Sequence, residues 1–237
     1  MVNLYLVSSA LNTKIGVFDS DQRLAQTLYT LASIRLQDPD ARIYLVEMGA
    51  VPYNDLQRAV LARAADRVLD FTGDREVQQI AASQDLSIVK NVTETLCLDV
   101  VFGFLRSEGL LSDVSRVFKV SGRYQLTERA DIGRYADARF SGKVVFAQRR
   151  PPGDVKAVAG IPGQYMSRLW SFDAALIDHV VAVYQQILAH MLAVIHAGEY
   201  IDIEHCLCKF FPAERIAEVE SIGVRGPAGG SGAMLED

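Results

Sequence analysis

The sequence has few cysteines and lacks the motifs in which cysteine usually carries chemistry. Three cysteines, Cys97, Cys206 and Cys208, stand among 237 residues, and no Cys-x-x-Cys pair occurs. This odd count argues against a disulfide framework and favours reduced thiols in a cytoplasm. His205-Cys206-Leu207-Cys208 groups soft ligands, but adjacent residues on a helix point in different directions and cannot close one tetrahedral zinc site. We therefore expect buried thiols and a cytoplasmic location.

Basic residues and long apolar runs are also scarce. The formal net charge is -5 and the pI is near 5.4, which argues against a nucleic-acid partner. Residues 2–7 have no preceding positive region and are too short a run for a signal peptide. The longest apolar stretch, Ala174 to Ile195, is interrupted by polar side chains, so no membrane-spanning helix is expected.

Three common motifs are missing as well. No GxGxxG follows the first predicted strand, where Gly16 is the only glycine, and no GxxxxGK[ST] P-loop occurs. These absences argue against a dinucleotide-binding enzyme and a P-loop ATPase or kinase. No GxSxG elbow is present either, which argues against an α/β-hydrolase.

What is present is an alternation of strands and helices in a chain that is 50% hydrophobic. Strands are predicted at residues 2–7, Arg42–Glu47, Arg67–Phe71, Arg116–Val120 and Lys143–Ala147. Helices are predicted from Ser20 or Asp21 to Leu36, from Asn54 to about Ala65, over Glu76–Ser83 and from about Asn91 to Ser107. This order predicts an α/β fold, a mostly parallel sheet flanked by helices.

The pattern changes beyond Arg149. A loop-rich stretch leads to a short extended piece at Arg168–Ser171, and a long helix is predicted from Asp173 to about His196. A shorter helix follows at Ile203–Phe211. We expect a core over residues 1–150, a helical portion of the same domain over 151–225 and a flexible tail over 226–237.

Asp19-Ser20-Asp21 matches the DxD pattern with which many sugar transferases hold a divalent metal. It falls between the first strand and the first helix, which is the wrong place for that role. An N-cap with acidic residues in the first helical turn explains it fully.

Three groups of residues carry a family pattern. The first group comprises Ser8-Ser9, Arg23–Leu28, Ser33–Arg35 and Ile43–Glu47. The second is Lys90–Thr95, and the third is Phe118–Tyr124. Together they resemble a family of small glycosyltransferases with a GT-A-like fold, found in large DNA viruses and bacterial capsule or polysaccharide loci. The resemblance covers residues 2 to 125 and continues faintly to 203–205 and 222–226.

The resemblance implies a nucleotide-sugar site at the strand ends. Ser8 and Ser9 would meet the nucleotide, Glu47 would accept hydrogen bonds from a ribose or base, and Arg23 would face the same crevice. The competing interpretations are loop-capping hydroxyls, an ordinary surface carboxylate and a solvated helix charge.

A second group lies at the next predicted helix. Lys90 and Asn91 precede the helix that carries Glu94, and a helix N-terminus beside a lysine suits phosphate oxygens. Glu94 equally suits the first turn of a helix because of the helix dipole.

The fourth strand ends in residues that replace the usual acidic pair of GT-A enzymes. Gly122 allows close backbone approach to a ligand, and the Arg123 guanidinium offers a bidentate fork. We expect Arg123 and Lys119 to stabilise the leaving nucleoside diphosphate, although a structural arginine that pairs with a buried carboxylate is an alternative. The segment at this strand end comprises Lys119, Ser121, Gly122, Arg123 and Tyr124.

The missing acidic pair leaves metal dependence open. Glu128 or Asp131 in the next loop could supply a ligand to Mn²⁺ or Mg²⁺. The metal ligands are therefore not assigned.

The residues that would bind and activate the acceptor rest on a weaker part of the resemblance. Glu204 and His205 match an Ile-Glu-His pattern of the family, and either could take the proton of an acceptor hydroxyl; a capping or packing role is the alternative. Trp170, beside Arg168, could stack on a sugar, whereas a core tryptophan is the competing interpretation.

The sequence thus predicts a cytoplasmic glycosyltransferase that uses a nucleotide sugar and a glycan acceptor. A nucleotidyltransferase, a non-catalytic nucleotide- or glycan-binding domain of a polysaccharide assembly system, and an α/β scaffold protein are the alternatives. The exposed face of the long helix leaves a homo-oligomer open.

Overall fold

A seven-stranded, mostly parallel sheet organises the chain, with strand order β3-β2-β1-β4-β7-β6-β8. The computed structural model describes residues 1–13, 15–152 and 161–237. Only β7 runs against its neighbours β4 and β6. The strands of this sheet are β1 (Val2–Ser9), β2 (Arg42–Glu47), β3 (Arg67–Asp70), β4 (Val114–Ser121), β6 (Val144–Ala147), β7 (Leu169–Asp173) and β8 (Ile216–Val219).

Helices connect and cover these strands, as the alternating pattern predicts. Asp19 caps the first of them by accepting a hydrogen bond from the Gln22 backbone amide, which confirms the N-cap interpretation of the DxD-like segment. The helices are α1 (Ser20–Gln37), α2 (Asp55–Ala64), α3 (Arg75–Ala81), α4 (Leu86–Ser107), α5 (Ile177–His196) and α6 (Ile203–Phe210).

One predicted boundary is wrong. Helix α4 begins at Leu86, because the Asp85 side chain accepts hydrogen bonds from the amides of Ser87 and Ile88. Lys90 and Asn91 therefore lie within the helix and not before it. The segment before Asn91 has little apolar periodicity, and its N-cap is the only local signal for the earlier start.

The sheet divides the apolar core into two clusters, one on each face. Trp170 is 0% exposed and stacks with Phe146, Phe172 and Tyr184, while Phe102 of α4 contacts it edge-on. This aromatic cluster joins β7 to α4 and α5. It buries the only tryptophan of the chain entirely.

The long helix α5 packs on this cluster through Val180, Tyr184, Ile187 and Met191, all of which are buried. With the preceding turn, Ala174–His196 is long and apolar enough to cross a membrane by length and composition, with a mean hydropathy of 1.3. The same test is met by core helices, and the buried face of α5 is part of the core.

A second, three-stranded sheet of order β10-β9-β5 lies beyond the carboxyl ends of the main strands. It contains β5 (Gln125–Leu126), β9 (Val224–Pro227) and β10 (Met234–Glu236). Strands β9 and β10 form an antiparallel hairpin. The expected tail at 226–237 is thus paired: the Asp237 amide donates to the Val224 carbonyl at 2.9 Å. A Cβ on Gly226 would lie 2.1 Å from the Arg123 carbonyl oxygen, so only glycine fits there.

Replacing Phe102 by alanine removes the residue that joins α4 to the aromatic cluster. We expect the free energy of unfolding to fall by about 3–5 kcal/mol, because the truncation leaves a cavity in the core. Chemical denaturation measures this change. Val100→Ala on the exposed side of the same helix is the control and should stay within about 0.5 kcal/mol. Equal losses in the two variants would contradict the packing described.

Candidate functional site

The polar side chains predicted on the first two strands and on β4 meet at one edge of the sheet. In the register of the parallel strands Ser8 is opposite Ser121, and Ser9 is opposite Glu47. The Gly122 amide donates to the Ser8 carbonyl at 2.8 Å, and a Cβ on Gly122 would approach that oxygen to 3.0 Å. Gly122 therefore closes the gap between β1 and the turn after β4, at the edge where parallel α/β sheets bind ligands.

Lys119 is the most buried cation of this edge, with its residue 0% exposed. Its ammonium lies 2.5 Å from Glu94 Oε1. It also donates to Ser121 Oγ at 3.1 Å and to the Ser167 carbonyl at 2.7 Å. These bonds take all three donors of the ammonium. Lys119 therefore holds Glu94, Ser121 and Ser167 in place and has no free donor for a phosphate.

Glu94 is ionised because of its cationic surroundings. Burial by itself disfavours the carboxylate, but the Lys119 ammonium, supported by Lys90 and Arg123, lowers the pKa of the Glu94 carboxyl below its ordinary value. Its Oε1 also accepts a weak hydrogen bond from Ser8 Oγ at 3.4 Å. This carboxylate links β1, α4 and β4.

The same network reaches Glu204 on α6. Ser167, whose carbonyl accepts from Lys119, donates through its hydroxyl to Glu204 Oε1 at 2.7 Å. Glu204 is 9% exposed, and its carbonyl accepts from the Tyr165 amide. His205 is also buried, and its Nδ1 lies 2.6 Å from Asp202 Oδ1. Glu204 is thus connected to the strand ends through Ser167 and Lys119.

Glu47 and Ser9 organise the loop after β1. Glu47 Oε1 accepts from the amides of Leu11 and Gly49, each at 3.0 Å, and burial raises the pKa of its carboxyl. Ser9 Oγ lies 3.4 Å from Thr27 Oγ1 of α1. Glu47 is 0% exposed, so its role in the structure is to hold the loop and not to act as a surface carboxylate.

Arg23 and Arg123 stand next to each other above the strand ends. Burial, and then the charge of Arg123, lower the pKa of the Arg23 guanidinium. Arg23 donates to the carbonyls of Phe18 (3.1 Å), Ala10 (3.3 Å) and Ile15, which leaves two of its five N–H donors unused among the described residues. Arg123 Nε is buried without a hydrogen-bond partner, and no carboxylate of the described residues lies within ion-pair distance of its guanidinium. Two like charges that act on each other in this way favour an anion between them.

A glycine-rich turn that sequence reasoning assigned to the flexible tail completes this group. The turn Ala228–Gly232 joins β9 to β10. A Cβ on Gly229 would lie 2.9 Å from Arg123 Nη2, and a Cβ on Gly16 would lie 2.5 Å from the Gly229 carbonyl oxygen. The amides of Gly229, Gly230 and Ser231 make no backbone hydrogen bond within the described parts of the chain. Successive free amides beside two guanidinium groups form an anion cradle.

A sequence signal for this turn did exist. The run Gly229-Gly230-Ser231-Gly232 has the composition of a phosphate-binding loop. It does not follow the first strand, however, where such loops are usually sought. Its partners are more than a hundred residues away, so only the fold brings it to the arginines.

The other residues predicted to bind the nucleotide sugar, Lys90, Asn91 and Tyr124, are not part of the group formed by Arg23, Arg123 and the glycine-rich turn. Asn91 lies inside α4 and donates to the Ser87 carbonyl, so it is not an amide at a helix N-terminus. Lys90 is exposed one residue earlier, and its charge acts on Glu94. Tyr124 is buried, with the Arg168 guanidinium 5.6 Å from the centre of its ring.

The structure places the two residues predicted to bind the acceptor, Trp170 and Arg168, in different surroundings. Trp170 is fully buried in the aromatic cluster, so the prediction that it stacks on a sugar is wrong; β7 pairs on both sides and turns this side chain into the core. Arg168 lies at the edge of the site, and its carbonyl accepts from the Ser121 amide at 2.8 Å.

The donor set at the end of β4 does not fit a divalent cation. The segment presents a lysine and an arginine, and the nearest carboxylate, Glu94, is paired with that lysine. Glu128 is exposed, and Asp131 caps a turn by accepting from the Arg134 amide. No cluster of three or more potential metal ligands lies within the described ranges. We derive no catalytic step through a metal.

Comparison with known proteins identifies the fold. No protein-family model and no curated protein matches the chain in sequence. Among solved structures, galactosyltransferase LgtC, in complex with donor and acceptor sugar analogs, matches with a TM-score of 0.51 and 11% identity. The match covers 91% of this chain and 72% of LgtC. The fold is therefore that of GT-A glycosyltransferases, as the sequence predicts. The narrower viral and bacterial family stays a prediction.

Replacing Glu94 by glutamine removes the partner of a buried ammonium. We expect the variant to lose about 3–5 kcal/mol of stability at neutral pH. Because the pKa of Glu94 is lowered from 4.5 in the folded state, its stabilising charge is present above that pH and is lost as the pH falls through the lowered value. The deficit should therefore shrink in acid.

Denaturation curves at neutral and acidic pH measure this deficit. Glu108→Gln, at the exposed end of the same helix, is the control. A deficit of the same size at both pH values would contradict the ion pair.

Proposed function

We propose that this protein is a glycosyltransferase that transfers a sugar from a nucleoside diphosphate donor to a glycan or glycoconjugate acceptor. The observation that carries the proposal is the cradle defined by Arg23, Arg123 and the Ala228–Gly232 turn. Within the described residues, it combines two cations that have no carboxylate at ion-pair distance with three amides that make no backbone hydrogen bond. It lies at the carboxyl ends of the strands in a GT-A fold.

The charges of the cradle match a leaving diphosphate. When the bond between the anomeric carbon and the phosphate oxygen breaks, its electron pair stays on the diphosphate, where negative charge increases. Fixed guanidinium groups and amides aimed at that charge stabilise the transition state more than the ground state. This donor set would perform the task that GT-A enzymes with an acidic pair give to a metal.

Glu204 supplies the base for the acceptor. The acceptor oxygen forms the new bond to the anomeric carbon, and its proton passes to the Glu204 carboxylate. Ser167 fixes the orientation of that carboxylate by its hydrogen bond of 2.7 Å. Lys119 holds Ser167 and Ser121 together, so it acts as a positioning residue.

The cytoplasmic location is also a part of the proposal. It is supported by the thiols: Cys97, Cys206 and Cys208 are all free, and two of them are buried. A cytoplasmic enzyme would meet nucleotide sugars where they are made.

A donor screen tests the class of reaction. Purified protein is incubated with UDP-, GDP-, dTDP- and CMP-sugars in the presence of Mg²⁺, Mn²⁺ or EDTA. Thermal stabilisation and release of free nucleotide are then read together. We expect one nucleoside diphosphate sugar to stabilise the protein and to be slowly hydrolysed, with EDTA causing little loss. Binding without turnover would favour the non-catalytic alternative, and a response to none of the donors would contradict the proposal.

Replacing Arg123 by glutamine removes one cation from the cradle. We expect turnover of the preferred donor to fall about a hundredfold or more, in line with the loss of one transition-state donor. Steady-state kinetics measure the effect. Arg63→Gln on the exposed surface of α2 is the control. Full turnover in the Arg123 variant would overturn the assignment.

The glycine-rich turn offers a matched pair of variants. Alanine at Gly229 places a Cβ 2.9 Å from Arg123, whereas alanine at Gly230 meets nothing within 4 Å. Neither glycine has a positive φ, and both variants keep their amide. We expect Gly229→Ala to weaken binding of a nucleoside diphosphate by about tenfold and Gly230→Ala to leave it unchanged. Titration calorimetry distinguishes the two, and equal affinities would contradict the placement of the turn.

A further inference from the structure

Two arginines converge on one buried carboxylate at the acceptor edge of the site. Arg168 Nη1 bonds Asp237 Oδ2, and Arg150 Nη2 bonds Asp237 Oδ1. Each carboxylate oxygen thus accepts from a different guanidinium. Both contacts are charge-assisted hydrogen bonds, which a carboxylate or a phosphate oxygen of a ligand can also accept.

The scaffold holds the arginines firmly. The Arg168 side chain is 10% exposed and packs over the Tyr124 ring. Arg150 is anchored by paired backbone hydrogen bonds with Gln164, of 3.0 and 2.9 Å. Two guanidinium groups thus share one side-chain carboxylate.

Asp237 is held to the hairpin through its main chain. Its carbonyl accepts from the amides of Gly223 and Val224, and its own amide donates to the Val224 carbonyl. The side chain can therefore rotate away from the arginines without opening the hairpin or the glycine-rich turn. It is the replaceable member of the group.

The position of the group relates it to the transfer reaction. Arg168 follows Ser167, whose hydroxyl orients Glu204, and its own carbonyl accepts from Ser121. One peptide unit thus connects the arginine group to the residue that orients the proposed base, which relates the group to the acceptor and not to the donor diphosphate.

We propose that Arg150 and Arg168 form an anion subsite for the acceptor, and that the Asp237 side chain occupies it when no acceptor is bound. The acceptor would then be a sugar that carries a carboxylate or a phosphate monoester. Asp237 mimics that group and competes with it. This inference rests on the proposed function, which it extends to the class of acceptor.

Direct binding tests the subsite without any turnover. Ligand-observed NMR gives the Kd of the full chain for methyl glucuronide, for a hexose phosphate ester and for neutral methyl glucoside. We expect at least one anionic sugar to bind about tenfold tighter than the neutral one, as charge-assisted hydrogen bonds provide. The two anionic arms distinguish carboxylate from phosphate as the recognised group.

Single substitutions test whether the Asp237 side chain competes with an anionic sugar or only stabilises the fold. Asp237→Asn should tighten binding of the anionic sugar severalfold, because it removes the competing charge, and Arg168→Gln should abolish the preference over the neutral sugar. Arg150→Gln, at a side chain that is 44% exposed, repeats the second test where folding is less at risk. Arg139→Gln on a distant turn is the control.

Two results would overturn the subsite: equal Kd values for all three sugars, or an Asp237→Asn variant that binds the anionic sugar no better than the wild-type protein. If either result is found while a nucleotide sugar still stabilises the protein and is hydrolysed in the donor screen, the proposed function remains supported. If no donor in the screen stabilises the protein or is hydrolysed while an anionic sugar binds as expected, the proposed function is contradicted instead.

Discussion

The ion pair between Lys119 and Glu94 is the interaction on which the site depends. A lysine with no exposed surface loses its hydration, which costs several kcal/mol unless charge and hydrogen bonds compensate. Here one carboxylate oxygen at 2.5 Å, a serine hydroxyl and a carbonyl do so. These partners come from α4, from β4 and from the segment before β7. Satisfying one ammonium therefore fixes three elements at the carboxyl edge of the sheet.

The pair also determines which charges remain for a ligand. Glu94 neutralises Lys119, and the Asp237 carboxylate is shared by Arg150 and Arg168. No carboxylate of the described residues lies within ion-pair distance of Arg23 or Arg123; Glu47 and Glu94 act on them only at longer range, and the two guanidinium groups repel each other. Buried and half-buried charges without a counterion in contact are costly, and enzymes keep them where a ligand supplies the opposite charge. A diphosphate supplies it in the reaction proposed here.

Local sequence signals predicted the sheet but not all of the site. Strands β1, β2 and β4 follow from apolar runs, and Asp19 follows from capping chemistry. The parallel register then brings Ser8 and Ser121 together without further information. The first turn of helix α4 has little apolar periodicity, so the sequence pattern predicts a start near Asn91 and puts Lys90 and Asn91 before the helix, whereas the helix begins at Leu86.

Long-range contacts account for the other failures. The hairpin of β9 and β10 is stabilised by backbone bonds with each other and with β5, so its glycine-rich turn looks like a tail in the sequence alone. Trp170 sits in a short extended segment that gives no sign of pairing on both sides with β4 and β6. The burial of Lys119 is likewise invisible until α4 and β4 are packed together.

Hydrogen–deuterium exchange with a nucleoside diphosphate tests the central claim most directly, because it reports where the ligand binds. The account predicts protection of the amides at residues 229–231 and of the turn at Gly122 and Arg123. A cleft of about 620 Å³ at the opposite end of the sheet, lined by Arg35, Arg42 and Arg67, is the internal comparison. Protection at that cleft, with none at the glycine-rich turn, would contradict the account.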